Sequence, residues 1–455
     1  LLDISAYGEP WVEYRGDGAI SCSDKDRAGP LHAAQLQSGH VLAVLDLSAR
    51  LPANSPISPF YDGVDRILGT LEGGVAFAAQ GLLQTNDLVP LEDEDRWGMY
   101  HVFRVRELLI KQGRGDAHRF ALVNARFRGD PGISDRSTQI ERLRVSTQFD
   151  GEPLAFALES VGDYNAVIRQ LITTKSPRYT GTLELPPDTP NPTDVADAIC
   201  TLLSVAGGTK VQWIKHEGPM SDGVAATCHR SRVTKPYSSF APIDISTHAD
   251  LEALLIECLP DFKRRATRFE LLTGTVDALI DAKVETDYLE SRALKLAVAL
   301  ERVKSVAVPA EQGFVLDSDQ WSGVVPELTR IVRQLLVDRQ VDSQLIDQIA
   351  GPWKLNGLNR KSFGSQIKLL ANELGLKVEY RDRSLFLACR NKLVHEGKFY
   401  CNAATQEERK RTPPLSSTWE EYAFMVEVLD RIYLSMIGYT GDYLDRRIPS
   451  TPKRI

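Results

Sequence analysis

The chain has 455 residues, 43% of them hydrophobic and 25% charged, with a formal net charge of −7. That length and composition predict an ordinary globular protein of two or three domains and exclude a disordered or fibrous one. The acidic balance excludes indiscriminate nucleic-acid binding through a globally basic surface, while a local basic cleft stays compatible with it.

Residues 1–150 read mostly as β-strands. Val41–Leu47 is an apolar run bounded by Gly39 and Pro52. Arg66–Leu71 and Val75–Leu83 flank Gly73-Gly74, a hairpin signal. His101–Arg106, Arg119–Phe127 and Leu143–Phe149 follow, the last with clean alternation. These strands predict a one-sided or barrel-like antiparallel sheet.

A small α/β stretch occupies about 151–240: a helix over Asp163–Ile172, a strand over Tyr179–Leu185, and a proline-rich break at Pro186–Pro192. Thr193 is positioned to cap a helix ending near Ala206, before Gly207-Gly208. Strands over Lys210–His216 and Val224–Val233 precede a Pro- and Ser-bearing segment, Thr234–Thr247, where we place the main boundary. The expected domains are therefore 1–240, β-rich, and 241–455, helical. The fold class is α+β.

Beyond the boundary, apolar residues recur at three and four. Helices are predicted over Leu251–Cys258, Asp261–Lys283, Tyr288–Val306, Val324–Asp338, Ser343–Gly351, Ser362–Leu374, Ser384–Glu396 and Trp419–Ile437. Pro309–Gln320 and Gly397–Ser417 read as longer connections. The pattern is that of a helical bundle. The charge is uneven: residues 1–240 carry 24 Lys+Arg against 30 Asp+Glu, and the remainder 30 against 31. The helical part is thus the better host for an anionic ligand.

Six cysteines without a CxxC pair suit a reducing compartment. No apolar run approaches the ~18–20 residues of a membrane span, and Leu1-Leu2-Asp3 lacks the basic and apolar start of a signal peptide. The expected location is the cytoplasm, with no membrane partner. Most motif-like strings carry ordinary readings. Arg-Gly-Asp at Arg15, Arg114 and Arg128 reads as turn chemistry. His216-Glu217-Gly218 and His395-Glu396-Gly397 lack a second His at zinc spacing. Gly207-Gly208-Thr209-Lys210 precedes a strand, not a helix, so it is no phosphate loop. Cys228-His229 has no further ligands nearby in sequence. Glu408-Arg409-Lys410 reads as a charged loop. No metal site and no cofactor are expected.

One segment stands apart. Arg390-Asn391-Lys392-Leu393-Val394-His395 closes an amphipathic helix for which Ser384 is a plausible N-cap and Gly397 a left-handed stop. Leu385, Phe386, Leu387, Cys389, Leu393 and Val394 cover one apolar arc at about 100° per residue. Arg390 falls inside it. An arginine there is costly unless paired, so Arg390, Asn391 and His395 form either a structural polar network or a site for an anionic substrate.

Arg390–Gly397 resembles the R-[polar]-x3-H signature of HEPN domains, most like the ApeA-like group from bacterial anti-phage systems. Tyr288-Leu289-Glu290 with Leu300-Glu301, and Leu358–Leu376 with its Lys361-Ser362-Phe363 start, are similar to the same group. The likeness covers about residues 248–445. More loosely, Ile67–Leu71 and Arg128–Phe149 resemble the β-rich domain that accompanies this HEPN.

The resemblance implies an all-α HEPN bundle and a metal-independent endoribonuclease. The 2′-hydroxyl of RNA would attack the adjacent phosphate, leaving a 2′,3′-cyclic phosphate. His395 is implied as general base or acid, Arg390 as the group that meets charge on the phosphate, and Asn391 as an orienting or phosphate-binding group. Lys392 and Lys398 are implied to add positive field for substrate. The implied partners are RNA, such as tRNA or another structured RNA, a second copy forming a composite site, and a phage-derived trigger sensed by the N-terminal domain. Phe386, Leu387, Leu393 and Val394 would supply interface as well as core. The alternative is a non-catalytic HEPN dimer acting as adaptor or RNA-binding scaffold.

Overall fold

The fold is taken from a computed structural model, which describes residues 4–22, 25–46, 66–85, 100–112, 115–133, 139–174, 177–219, 224–232, 235, 238, 240–285, 287–445 and 452–454. Residues 1–3, Leu47 and Val233 at the ends of two expected strands, Pro52, Arg114, and residues 234, 236, 237 and 239 of the expected boundary lie outside them. Strand β1 (Pro10–Cys22) pairs along its length with β2 (Lys25–Leu36), and β2 pairs with β3 (Val41–Asp46). The other edge of β1 meets β4 (Arg66–Leu71), which turns through Gly73 and Gly74, both at positive φ, into β5 (Val75–Thr85). Strand β6 (Tyr100–Ile110) pairs with β5 on one edge and, over its first six residues, with β3 on the other. That closes a six-strand barrel whose interior holds Ile20, Leu45, Ile67, Phe77 and Phe103. Glycine is required where β1 crosses β4: a Cβ on Gly16 would collide with the Thr70 carbonyl, and one on Gly69 with the Asp17 carbonyl.

The last residues of β6 stay paired with β5 and on their other edge exchange β3 for β13 (Ala225–Arg230). From there the sheet continues through β12 (Gln212–Pro219), β7 (His118–Val123), β11 (Tyr179–Leu185), β10 (Glu152–Ser160), β9 (Gln139–Phe149) and β8 (Asp130–Ile133). Helix α1 (Tyr164–Thr174) follows β10, and α2 (Pro192–Gly207) follows β11. Helix α2 buries Val195, Ile199, Leu202 and Leu203. One continuous buried cluster runs from Phe120 and Leu183 in the sheet, through Ile199, to Leu254, Leu300 and Leu429 among the later helices. The architecture is mixed α+β, with sheet first and helices after.

The later helices are α3 (His248–Cys258), α4 (Phe262–Arg268), α5 (Thr275–Lys283), α6 (Leu289–Ala307), α7 (Ser318–Asp338), α8 (Ser343–Ile349), α9 (Pro352–Asn356), α10 (Phe363–Glu373), α11 (Tyr380–Glu396), α12 (Tyr400–Ala403), α13 (Gln406–Arg411) and α14 (Thr418–Ile437). Helix α14 is the axis of this part, with every residue from Glu421 to Ile437 buried except Arg431. Its charges are all met. Asp430 pairs with Lys283, Glu421 accepts the backbone N–H groups of Tyr400 and Cys401 at 2.8 Å, and Glu427 accepts the Tyr443 hydroxyl at 2.9 Å. Burial without such partners would cost several kcal/mol per charge.

Several expectations are corrected. The single helix over 261–283 is two, because Glu270 and Gly274 adopt left-handed φ of 49° and 107° that a continuing helix excludes. Thr193 does not cap α2: Pro192 takes the first turn and Asn191 the cap position. Strands β1, β2 and β10 were not anticipated, and Arg15-Gly16-Asp17 sits within β1 rather than in a turn. The connection 309–320 already contains the start of α7, which has a capping box between Asp317 and Gln320. Glu408-Arg409-Lys410 lies on α13, where Thr405 and Glu408 form a second capping box.

Candidate functional site

Helix α11 starts four residues before Ser384, so Ser384 is not its cap; Glu379 holds that position without a side-chain bond. Its end is as read: Gly397 at φ +64° returns its N–H to the Leu393 carbonyl at 3.1 Å. The helix buries Leu385, Phe386, Cys389 and Leu393 in its own chain, with the Phe386 ring 6.3 Å from that of Phe424 on α14. Leu387 packs partly against the same core, and Val394 is exposed. Phe386 and Leu393 are therefore core residues of their own chain.

Arg390 finds its partners within the chain. Its side chain is 16% exposed and its guanidinium pairs with the Glu301 carboxylate on α6. The same group lies 4.6 Å from the ring centroid of Phe363, the first residue of α10, and donates to Asn391 Oδ1 at 3.1 Å. Phe363 is placed there because Ser362 caps α10 by accepting the Ser365 N–H at 3.2 Å. Lys304, one turn after Glu301, donates to the same carboxylate at 2.7 Å and lies 4.7 Å from the same ring. Two cations, one carboxylate and one aromatic ring thus share a corner between α6, α10 and α11. Cation–π contact and ion pairing together offset the cost of placing a guanidinium there. Its Nε is buried with no hydrogen-bond partner among the described residues. Within the chain, Glu301 and Phe363 are the partners that an arginine in the apolar arc requires.

Asn391 and His395, one turn apart, are both exposed on the outer side of α11. Lys392 points elsewhere, about 200° around the helix from Arg390. It donates to Glu396 at 2.7 Å and lies 3.2 Å from Glu408 on α13; the Glu396 hydrogen bond first, and Glu408 after it, hold its ammonium above its usual range. Lys398 is exposed just past the helix end. The structure therefore groups Arg390 with Asn391, leaves His395 on the adjoining face, and commits Lys392 to carboxylates.

Sequence reading found no site in the sheet half, yet polar groups converge there. His118 Nδ1 and His216 Nε2 are 3.0 Å apart, both buried, and His216 stacks flat on Phe120 at 4.2 Å. They line a cavity of about 580 Å³ with Glu107, Cys228 and Arg230, beside the 187–193 segment. Burial, then the neighbouring His118, pulls His216 down to about 4. His229, wholly buried between the Tyr14 hydroxyl at 2.7 Å and Gln35 at 3.2 Å, is pulled down to about 3 by burial and then by Lys215. The sequence signal was confined to His216, which alternates with the half-buried Lys215 and Glu217 on β12, whereas His229 ends an unbroken buried run. That signal also fits plain core histidines.

Cys200, Cys228, Cys258, Cys389 and Cys401 are free and buried. Among the described residues no three His, Cys, Asp or Glu side chains converge as metal ligands, and no helix is long and apolar enough to cross a membrane. Compared with known proteins, the chain matches no family model, no curated protein and no solved structure.

Proposed function

We propose that the chain is a HEPN-type, metal-independent endoribonuclease whose N-terminal β-rich part regulates it in anti-phage defence. The observation that carries this reading is the corner at the end of α11. There Arg390, ordered by Glu301 and Phe363, stands beside Asn391 and near the exposed His395. The three segments that suggested the family, around Glu301, Phe363 and Arg390, are the three that meet.

In the proposed reaction His395 accepts the proton of a ribose 2′-hydroxyl as its oxygen bonds to the adjacent phosphorus. The P–O5′ bond breaks, the 5′-oxygen takes the proton that His395 accepted, and the products are a 2′,3′-cyclic phosphate and a 5′-hydroxyl. Arg390 stabilises the charge growing on the phosphate oxygens. Asn391 orients either the phosphate or His395, and Lys398 adds positive field at the open end of the helix; Lys392 is the weaker contributor because two carboxylates already engage it. A second copy completes the site.

Purified protein incubated with total RNA tests this. His395→Ala is expected to reduce cleavage about 10²- to 10⁴-fold, the usual weight of a general acid–base group, while EDTA leaves wild-type cleavage intact. Unchanged cleavage by that variant sinks the reading. The scaffold alternative draws on one observation, that Glu301 already pairs with Arg390. Arg390→Lys separates the two: it keeps the charge but loses the planar fork. A nuclease loses turnover while keeping its RNA affinity and fold. A scaffold shows no turnover to lose, and RNA binding falls instead.

A further inference from the structure

Helix α7 spans 21 residues and buries none of them. Its sequence is nevertheless amphipathic. Trp321, Val325, Leu328, Val332 and Leu336 form a half-buried row, and α7 packs on its own chain chiefly at α8 and α9. Beside that row runs another, Val324, Ile331 and Leu335, which are 45%, 50% and 57% exposed. Helices of soluble proteins draw most of their stability from a packed apolar face, and contiguous exposed apolar surface marks an interaction site.

The charges on the helix identify the occupant. Residues 317–327 carry Asp317, Asp319 and Glu327 and no cation, whereas residues 328–339 carry Arg330, Arg333 and Arg339 against Asp338. A parallel copy would set like charges side by side. An antiparallel copy about a two-fold axis at Leu328 sets Leu335 opposite Trp321, Ile331 opposite Val325, and Asp317 opposite Arg339. Apolar meets apolar through the middle, where Val324 also faces Val332, and acid meets base at the two ends through Asp317 and Arg339, while Arg330 and Arg333 are paired within the chain with Glu327 and Asp347.

We infer that α7 is the dimerisation helix of this chain, pairing antiparallel with α7 of a second copy. The inference deepens the composite-site reading and rests on it for its functional consequence. The apolar arc of α11, the other candidate interface, is largely consumed by its own core. Helix α7 also springs from the right corner: the strand-like link Gly313–Val315 before it bonds to Asn359 at 2.7 Å and to Lys361 at 2.9 Å, just ahead of Phe363 under Arg390.

Sedimentation velocity of the full chain over a wide concentration range tests this. Wild type is expected at twice the chain mass. Ile331→Glu/Leu335→Glu, at positions already exposed in the single chain, is expected at the mass of one chain with an unchanged far-ultraviolet spectrum. Asp317→Arg/Asp319→Arg and Arg333→Asp/Arg339→Asp should each weaken association, and an equimolar mixture of the two should restore it. Wild type that is monomeric throughout, a glutamate variant that stays dimeric, or a mixture that does not restore association overturns the inference. So does a monomer that floats with phosphatidylcholine/phosphatidylglycerol vesicles, which would assign α7 to a membrane surface. Failure of the nuclease reading is separate: a wild-type dimer that cleaves no RNA sinks the nuclease and leaves the interface standing. A monomeric glutamate variant that cleaves as wild type supports the interface and sinks the composite site.

Discussion

Helices α14 and α7 are nearly equal in length, 20 and 21 residues, and opposite in their relation to solvent. Helix α14 carries Glu421, Glu427 and Asp430 into the core and gives each of them a partner inside the chain. Helix α7 has a regular apolar face and a clean N-terminal capping box, yet no residue of it reaches the interior. Amphipathic pattern alone therefore does not say which helix builds the core. Charges tolerated in the interior mark the helix around which the rest assembles, and apolar residues left outside mark the helix whose packing is unfinished in one chain.

The comparison can be broken most severely at Lys283. Lys283→Ala leaves Asp430 buried without its cation and is expected to cost about 3–5 kcal/mol of unfolding free energy by urea titration. A loss within experimental error would mean that α14 is not the rigid axis described above.

The sheet half supplies the next test. His216 and His229 are held neutral by burial, with folded values of about 4 and about 3 against 6.5 in the unfolded chain. The unfolded state therefore takes up more protons, so the contribution of each histidine is full above pH 6.5 and is lost as pH falls from there toward its folded value. That amounts to something on the order of 3 kcal/mol for His216 and somewhat more for His229. His229→Gln should flatten the stability profile between pH 6.5 and about 3 relative to wild type; an unchanged slope would show that carboxylates alone govern it.

The smallest effect belongs to α7. Ile331→Ala should change the stability of the dilute single chain by less than about 0.5 kcal/mol, the usual range for exposed positions, while weakening self-association. A loss of 2 kcal/mol or more in dilute solution, the scale of a buried truncation, would place Ile331 in the core of its own chain.

Much of this fold was legible locally. Strands β4 and β11 match their sequence reading residue for residue, because alternation is a property of the strand itself. The stop at Gly397 was legible because only glycine takes that backbone conformation freely. Strands β1 and β2 were not, since glycines and charges that a barrel wall accommodates interrupt their apolar pattern. The break at Glu270 was hidden in the same way, as no proline announces it.

For the candidate site, the sequence by itself determined that Arg390, Asn391 and His395 share the end of one helix and that an arginine there needs a partner. Only the tertiary structure decided which partner. Glu301 lies 89 positions upstream and Phe363 is on a third helix. Helical periodicity constrains residues within about a turn or two of one another, whereas the cost of burying a guanidinium is met by whatever side chain the packing brings near. The same division holds for α7: its apolar face was written in the sequence, and its exposure became visible only once its contacts within the chain, chiefly with α8 and α9, were known.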